Sequence, residues 1–219
     1  MIKRKLHSAL CDNVFLHHII HEFRNPLTIL KGEIEFALKK NRSKKTLETV
    51  LLSNLDEVNR LALIVENLSL LTKFENGEMI VQKRPININN LINNIIENFK
   101  TLSLQNNIEI NFIQKKKIFL NADENCLRIL FMNLLGEIIR RGPKKSNILV
   151  NIIKINNFAL IKILNKEIII FKEFLSIKNV NLGFNVSKYI LKAHNAKLKI
   201  EDTNLAISLP ISNLKKINN

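Results

Sequence analysis

Tryptophan is absent and tyrosine occurs once, so the chain offers almost no aromatic platform on which nucleic-acid bases could stack. Cysteine is nearly absent too. Cys11 and Cys126 stand alone without a CxxC partner, which excludes a disulfide framework and a zinc knuckle and fits two small core residues in a reducing compartment. Five Gly and four Pro in 219 residues exclude a fibrous repeat or a low-complexity tail. Uninterrupted apolar runs, such as Ile168-Ile169-Ile170-Phe171, fall far short of the ~20 residues that cross a bilayer, so no transmembrane segment is expected. The basic start, Met1 to Leu6, is followed by His7, Ser8, Asp12, Asn13, His17 and His18, which interrupt any apolar signal core. A cytoplasmic location is expected.

What is present is 46% hydrophobic and 24% charged, with a net charge of +15. That charge alone suggests an anionic partner, yet Asn and Ile occur about thirty times each, and the basic pairs are scattered through the same compositional bias. Lys115-Lys116-Lys117 is the only run of three lysines, and no specific nucleic-acid binding is expected.

Apolar residues at three- and four-residue steps predict two long helices over residues 8–40 and 44–74. The first carries Phe15, Leu16, Ile19, Ile20, Phe23, Leu27, Leu30, Ile34 and Leu38; the second carries Leu47, Leu51, Leu55, Val58, Ala62, Val65 and Leu68. The polar link Asn41-Arg42-Ser43 makes the pair a helical hairpin. Stripes this wide cannot cover each other within one hairpin, so a four-helix bundle made by two chains, a homodimer, is expected. Asn76-Gly77-Glu78 ends the second helix. Beyond it, strand-like segments (108–112, 148–152, 159–163) alternate with helix-like ones (91–104, 124–140, 186–194), which predicts helices layered on a sheet. The fold class is therefore α+β, with one domain over residues 1–77 and another over 78–219.

His21 lies among polar neighbours, with His17, His18, Arg24 and Asn25 a turn away, while Ile20, Phe23 and Leu27 are expected to point inward. A helix that buries so much elsewhere thus presents an imidazole to solvent. Pro26, five residues on, leaves the Glu22 carbonyl without its helical donor, and an interior proline costs roughly 3 kcal/mol, which suggests a purpose for a local kink. His17 and His21 could share a metal ion, but no third ligand stands at a fixed spacing, and Asn25 occupies the second His position of an HExxH pattern. No metal site is expected.

The segment 15–28, FLHHIIHEFRNPLT, closely resembles the phosphoacceptor box of two-component sensor histidine kinases, F-x-x-x-x-x-H-E-L-R-T-P-L-T. The continuation at 31–35 and 54–61 is similar to the heavy-metal-sensing branch. The resemblance implies that His21 accepts a phosphoryl group, that Glu22 is the general base for its imidazole, and that Asn25 orients water when a response regulator is dephosphorylated. Such chemistry suits these side chains: a neutral imidazole is a good nucleophile, and phosphoryl transfer otherwise needs mainly positioning and charge neutralisation.

The resemblance runs through the C-terminal part, where it implies an α/β-sandwich of the histidine kinase ATP-binding type, with ATP and Mg²⁺ as cofactors. Residues 123–136 resemble the helix leading into the N box, N-L-L-x-N-A. Asn133 matches its first asparagine, while Glu137 stands where the family holds Mg²⁺ with its second. After the strand at 159–164, where D-x-G-x-G is due, the chain reads Asn165-Lys166-Glu167-Ile168-Ile169, without the adenine-binding aspartate or a glycine. Residues 170–174 resemble the F box, and only six residues then lead to Asn181, too few for the usual lid over ATP. Gly183, in Asn181-Leu182-Gly183-Phe184, keeps one glycine of G-L-G-L. Residues 187–198 resemble V-x-x-I-V-x-A-H-G-G-x-I, and Leu209-Pro210 resembles the closing strand. Core positions persist while nucleotide-contacting ones are lost, the mark of an eroded ATP site.

The expected function is phosphoryl exchange between His21 and the aspartate of a response regulator receiver domain. Own ATP-dependent autophosphorylation is in question; relay or phosphatase activity toward the regulator is compatible with the losses. A non-catalytic scaffold that captures a regulator around His21 is the alternative, and a basic nucleic-acid-binding protein is a distant third. Nothing before residue 8 has the length of a sensor domain, so the signal is expected to come from another protein or from inside the cell.

Overall fold

A computed structural model describes residues 13–114, 116–165, 181–201 and 204–211. The chain divides into two compact units, Met1–Met79 with Val180–Asn185, and Ile80–Asn179 with Val186–Asn219.

The first unit is built on a helical hairpin of α1 (Asn13–Leu38) and α2 (Lys44–Glu75). Its turn is fixed from both sides. Arg42 donates to the Phe36 carbonyl at 3.2 Å and lies 3.8 Å over the Phe36 ring. Ser43 caps α2, its hydroxyl accepting from the Thr46 amide, which satisfies one of the orphan donors of the first turn. The helix stops as the sequence predicts: Gly77 takes φ +70°, and the Glu78 amide donates to the Lys73 carbonyl at 2.9 Å, a left-handed closure that glycine allows without strain. α1 runs without interruption through Pro26.

The faces of these helices differ from the expected ones. Within the hairpin, α2 buries Leu63, Ile64, Asn67 and Leu71, and α1 buries Phe15 and Ile19. Ile20 and Leu27, expected inside, are exposed, as are Leu16, Ile34, Leu51, Leu55, Val58 and Val65. Each helix is apolar on two sides. One side meets its hairpin partner and the other is uncovered in the single chain, so a single stripe read from spacing merges the two.

The second unit contains a five-stranded sheet in the order β2-β4-β5-β7-β6, from β2 (Glu109–Gln114), β4 (Asn147–Ile155), β5 (Phe158–Leu164), β6 (Lys197–Glu201) and β7 (Asn204–Pro210). The β2·β4 pair is parallel and the others are antiparallel. β1 (Arg84–Asn87) and β3 (Phe119–Ala122) form a separate antiparallel pair. Alternate residues of the central strands are buried: Ile148, Val150 and Ile152 on β4, Ala159, Ile161 and Ile163 on β5, Leu205, Ile207 and Leu209 on β7. The ladder sets Ile152, Ile161 and Ile207 in one row and Val150, Ile163 and Leu205 in another, the period-two pattern of a sheet with one face covered. Helices α3 (Ile88–Asn98), α4 (Lys100–Gln105), α5 (Glu124–Arg141) and α6 (Leu182–Ala193) complete the α+β fold.

The helix expected over 91–104 is two helices meeting at Phe99, which is buried and donates its amide to the Ile96 carbonyl at 3.0 Å. β1, β3 and β6 have no counterpart in the expected strands. The F-box and lid segments, residues 166–180, lie outside the described residues, as does Cys11. Cys126 is a free, buried thiol, as expected of a core residue.

Candidate functional site

α1 displays the residues singled out by sequence. His21 is exposed, as are His17, Arg24 and Asn25, whereas His18, Glu22 and Phe23 are half-buried and Pro26 is buried. The His17 and His21 rings touch, with centroids 4.5 Å apart and planes inclined at 59°. The side chains of a helix lean toward its N-terminus, so residues four apart meet over the intervening turn. Within the first unit, Glu22 Oε1 accepts a hydrogen bond from the Leu182 amide at 3.3 Å. Thr28 Oγ1 donates to the Arg24 carbonyl at 2.8 Å, two residues past Pro26. Beside His21, Ile19, Ile20, Phe23 and Leu27 form an open apolar strip with Arg24 and Lys31 on its border. A nucleophilic imidazole, a carboxylate and an amide on neighbouring turns, with an apolar surface alongside, can bind a partner and exchange a group with it. Among the described residues, no group of three or more His, Cys, Asp or Glu is placed to hold a metal ion.

The second unit carries Asn133 and Glu137, while Gly183 falls with the first. Asn133 is buried on α5 and Glu137 is half-buried one turn later. Sequence reasoning missed what Glu137 does. Its Oε2 accepts from Arg141 Nε at 2.7 Å, and the signal was available as an i, i+4 Glu-to-Arg spacing. Gly136 directly precedes Glu137, and a methyl group there would come within 2.7 Å of the Arg140 guanidinium. Asn165, directly after β5, is buried with 4% exposure. Gly183, which precedes the helix expected over 186–194, sits buried in the first turn of α6.

Sequence reasoning also missed a buried latch. His194 Nε2 accepts from the Asp123 amide at 3.0 Å and Nδ1 donates to the Ile190 carbonyl at 2.9 Å. The Asp123 carboxylate caps α5 by accepting from the Cys126 amide and also accepts from the Gln82 amide at 2.9 Å. Burial and the adjacent Asp123 push the Cys126 thiol up to about 12, so it packs as a neutral apolar group.

Residues 13–77 match the His Kinase A (phospho-acceptor) domain. The chain is 33% identical over 136 residues to the sensor histidine kinase CusS of Escherichia coli K12, covering 62% of this chain and 28% of that protein. It is 28% identical over 195 residues to sporulation kinase C of Bacillus subtilis, covering 84% of this chain and 44% of that one. It thus spans less than half the length of these relatives. The fold resembles that of the Acinetobacter baumannii histidine kinase AdeS, with a TM-score of 0.62 at 17% identity over 88% of this chain and 98% of that one. A histidine kinase ThkA solved in complex with the response regulator TrrA superposes with a TM-score of 0.57 at 19% identity, covering 96% and 65% of the two chains.

Proposed function

The chain is a transmitter core of the sensor histidine kinase family, and from that premise we propose that His21 exchanges a phosphoryl group with the aspartate of a response regulator receiver domain. The observation that carries this reading is the exposed imidazole of His21 on α1, inside the segment that matches the phospho-acceptor domain. The pairing of ThkA with TrrA supports a receiver domain as the partner. The domain roles follow: residues 1–77 dimerise and carry the phosphoacceptor, and residues 78–219 form a degenerate ATP-binding-type domain. A cytoplasmic site of action goes with this reading, because receiver domains are met there. Among the described residues no helix is long and apolar enough to cross a membrane.

In the step toward His21, a ring nitrogen lone pair forms the N–P bond while the bond from phosphorus to the aspartyl oxygen breaks. Glu22 draws the proton from the other ring nitrogen. The reverse transfer forms the aspartyl O–P bond and returns the imidazole to its neutral state. In hydrolysis of the aspartyl phosphate, Asn25 orients the attacking water and Glu22 draws its proton. The uncovered apolar residues Leu16, Ile20, Leu27, Leu51, Leu55 and Val58 support a homodimer in which two hairpins form a four-helix bundle.

The family's ATP and Mg²⁺ do not fit the residues at the expected positions. Asn133 remains, but at the Mg²⁺ position one Glu137 carboxylate oxygen is already paired with Arg141, whose positive charge opposes a metal ion there. At the adenine position stands Asn165, and Gly183 is enclosed in α6. The phosphoryl group comes instead from a phosphorylated receiver aspartate. Incubation with a phosphorylated response regulator is expected to place acid-labile phosphate on His21 or to release inorganic phosphate. His21→Ala removes the label, whereas a scaffold would leave regulator affinity in both proteins and label in neither. Label from Mg·ATP on the wild type alone would refute the eroded site.

A further inference from the structure

We propose that His17 is a positioning residue for His21: its ring holds the His21 imidazole in the rotamer from which a phosphoryl group is exchanged. The proposal rests on the reading of His21 as the phosphoacceptor. Both rings are exposed, so burial fixes neither. An exposed imidazole on a helix otherwise divides its time between the two χ1 wells that the preceding turn permits. The contact with His17, at 4.5 Å between centroids and 59° between planes, is the tilted arrangement that aromatic rings favour, and it selects the rotamer leaning over the turn toward residue 17. Phosphoryl transfer requires the attacking and leaving atoms to lie roughly in line. The fraction of time the ring spends in the competent rotamer therefore enters the rate directly. His17 gains no bond and moves no proton in this role; its contribution is the surface of its ring.

The test compares the full chain with His17→Ala and His17→Phe. Selective isotope labelling of histidine gives the χ1 distribution of His21 by NMR. Phosphoramidate, a small phosphoryl donor that needs no nucleotide site, gives the rate of His21 labelling. His17→Ala is expected to spread His21 over two rotamers and to slow labelling about two- to tenfold, the worth of one ring pair, with helicity by circular dichroism unchanged. His17→Phe keeps the ring surface without the nitrogens and is expected to restore both readouts. Equal rotamer distributions and equal rates in the wild type and His17→Ala would overturn the proposal. So would a His17→Phe variant as slow as His17→Ala, since the effect would then belong to the His17 nitrogens. No labelling of His21 in the wild type would defeat the phosphoacceptor reading itself, and the rotamer distribution would still decide whether His17 holds the ring.

Discussion

His194 shows how one buried side chain can set the pH response of the second unit. With 3% exposure, its two ring nitrogens are committed to opposite roles, Nε2 accepting from the Asp123 amide and Nδ1 donating to the Ile190 carbonyl. A second proton would set Nε2–H against an amide N–H. Burial accordingly holds the His194 pKa below its ordinary 6.5, with Lys83 acting in the same direction and the Ile190 carbonyl and Asp123 opposing. Because the folded value is the lower one, the unfolded chain binds the extra proton first as pH falls through about 6.5. This contribution to stability is complete above that pH and declines below it. The urea midpoint is expected to fall between pH 7.5 and pH 5.5. His194→Ala removes the pH-dependent part and costs about 1–3 kcal/mol, because the Asp123 amide is left buried and unpaired. An unchanged midpoint between the two pH values would rule out the assigned tautomer.

At the scale of elements, α2 carries two apolar faces with different consequences. Leu71 is 3% exposed, while Leu55 is 55% exposed in the single chain. Leu71→Ala is expected to destabilise the hairpin by about 2–5 kcal/mol, the usual range for a buried Leu. Leu55→Glu is expected to leave hairpin helicity intact and to shift sedimentation from dimer to monomer; a dimer undisturbed by Leu55→Glu would place the interface elsewhere. These faces also mark how far periodicity reaches. The hairpin and strands β2, β4 and β5 were legible because long helical stripes and alternating β-branched runs are strong local signals. The division between the faces was not, because spacing reports that a side is apolar and not which partner covers it. The break at Phe99 was hidden likewise: Leu91, Ile95 and Phe99 keep a four-residue step up to the point where the helix ends. β1 and β3, four residues each, are defined by pairing with one another across the chain. In the site, the exposure of His21 followed from its polar neighbours. The Glu137–Arg141 pair was written in the i, i+4 spacing, and the His194 latch joins residues 71 positions apart, beyond any local pattern.

For the whole molecule, two compact units mean two separate cores and two sources of cooperativity. In the first, the proposed homodimer covers the apolar face that one chain leaves exposed, so its stability is expected to depend on protein concentration. In the second, the interior formed by β4, β5, β7 and α5 is closed within a single chain, and its stability depends on pH through His194. A single two-state transition is therefore not expected. Calorimetry across a hundredfold range of concentration should resolve two transitions, of which only one moves upward with concentration; by mass action this shift follows the dimer that buries Leu55 and its neighbours. Lowering the pH from 7.5 to 5.5 at fixed concentration should move the other downward. The variants assign them: Leu55→Glu abolishes the concentration dependence of the first, and His194→Ala abolishes the His194 part of the pH dependence of the second. If one concerted transition responded to both variables, the units would be unfolding as one body, and the separate assignment of association to the hairpin and titration to the sheet would fail.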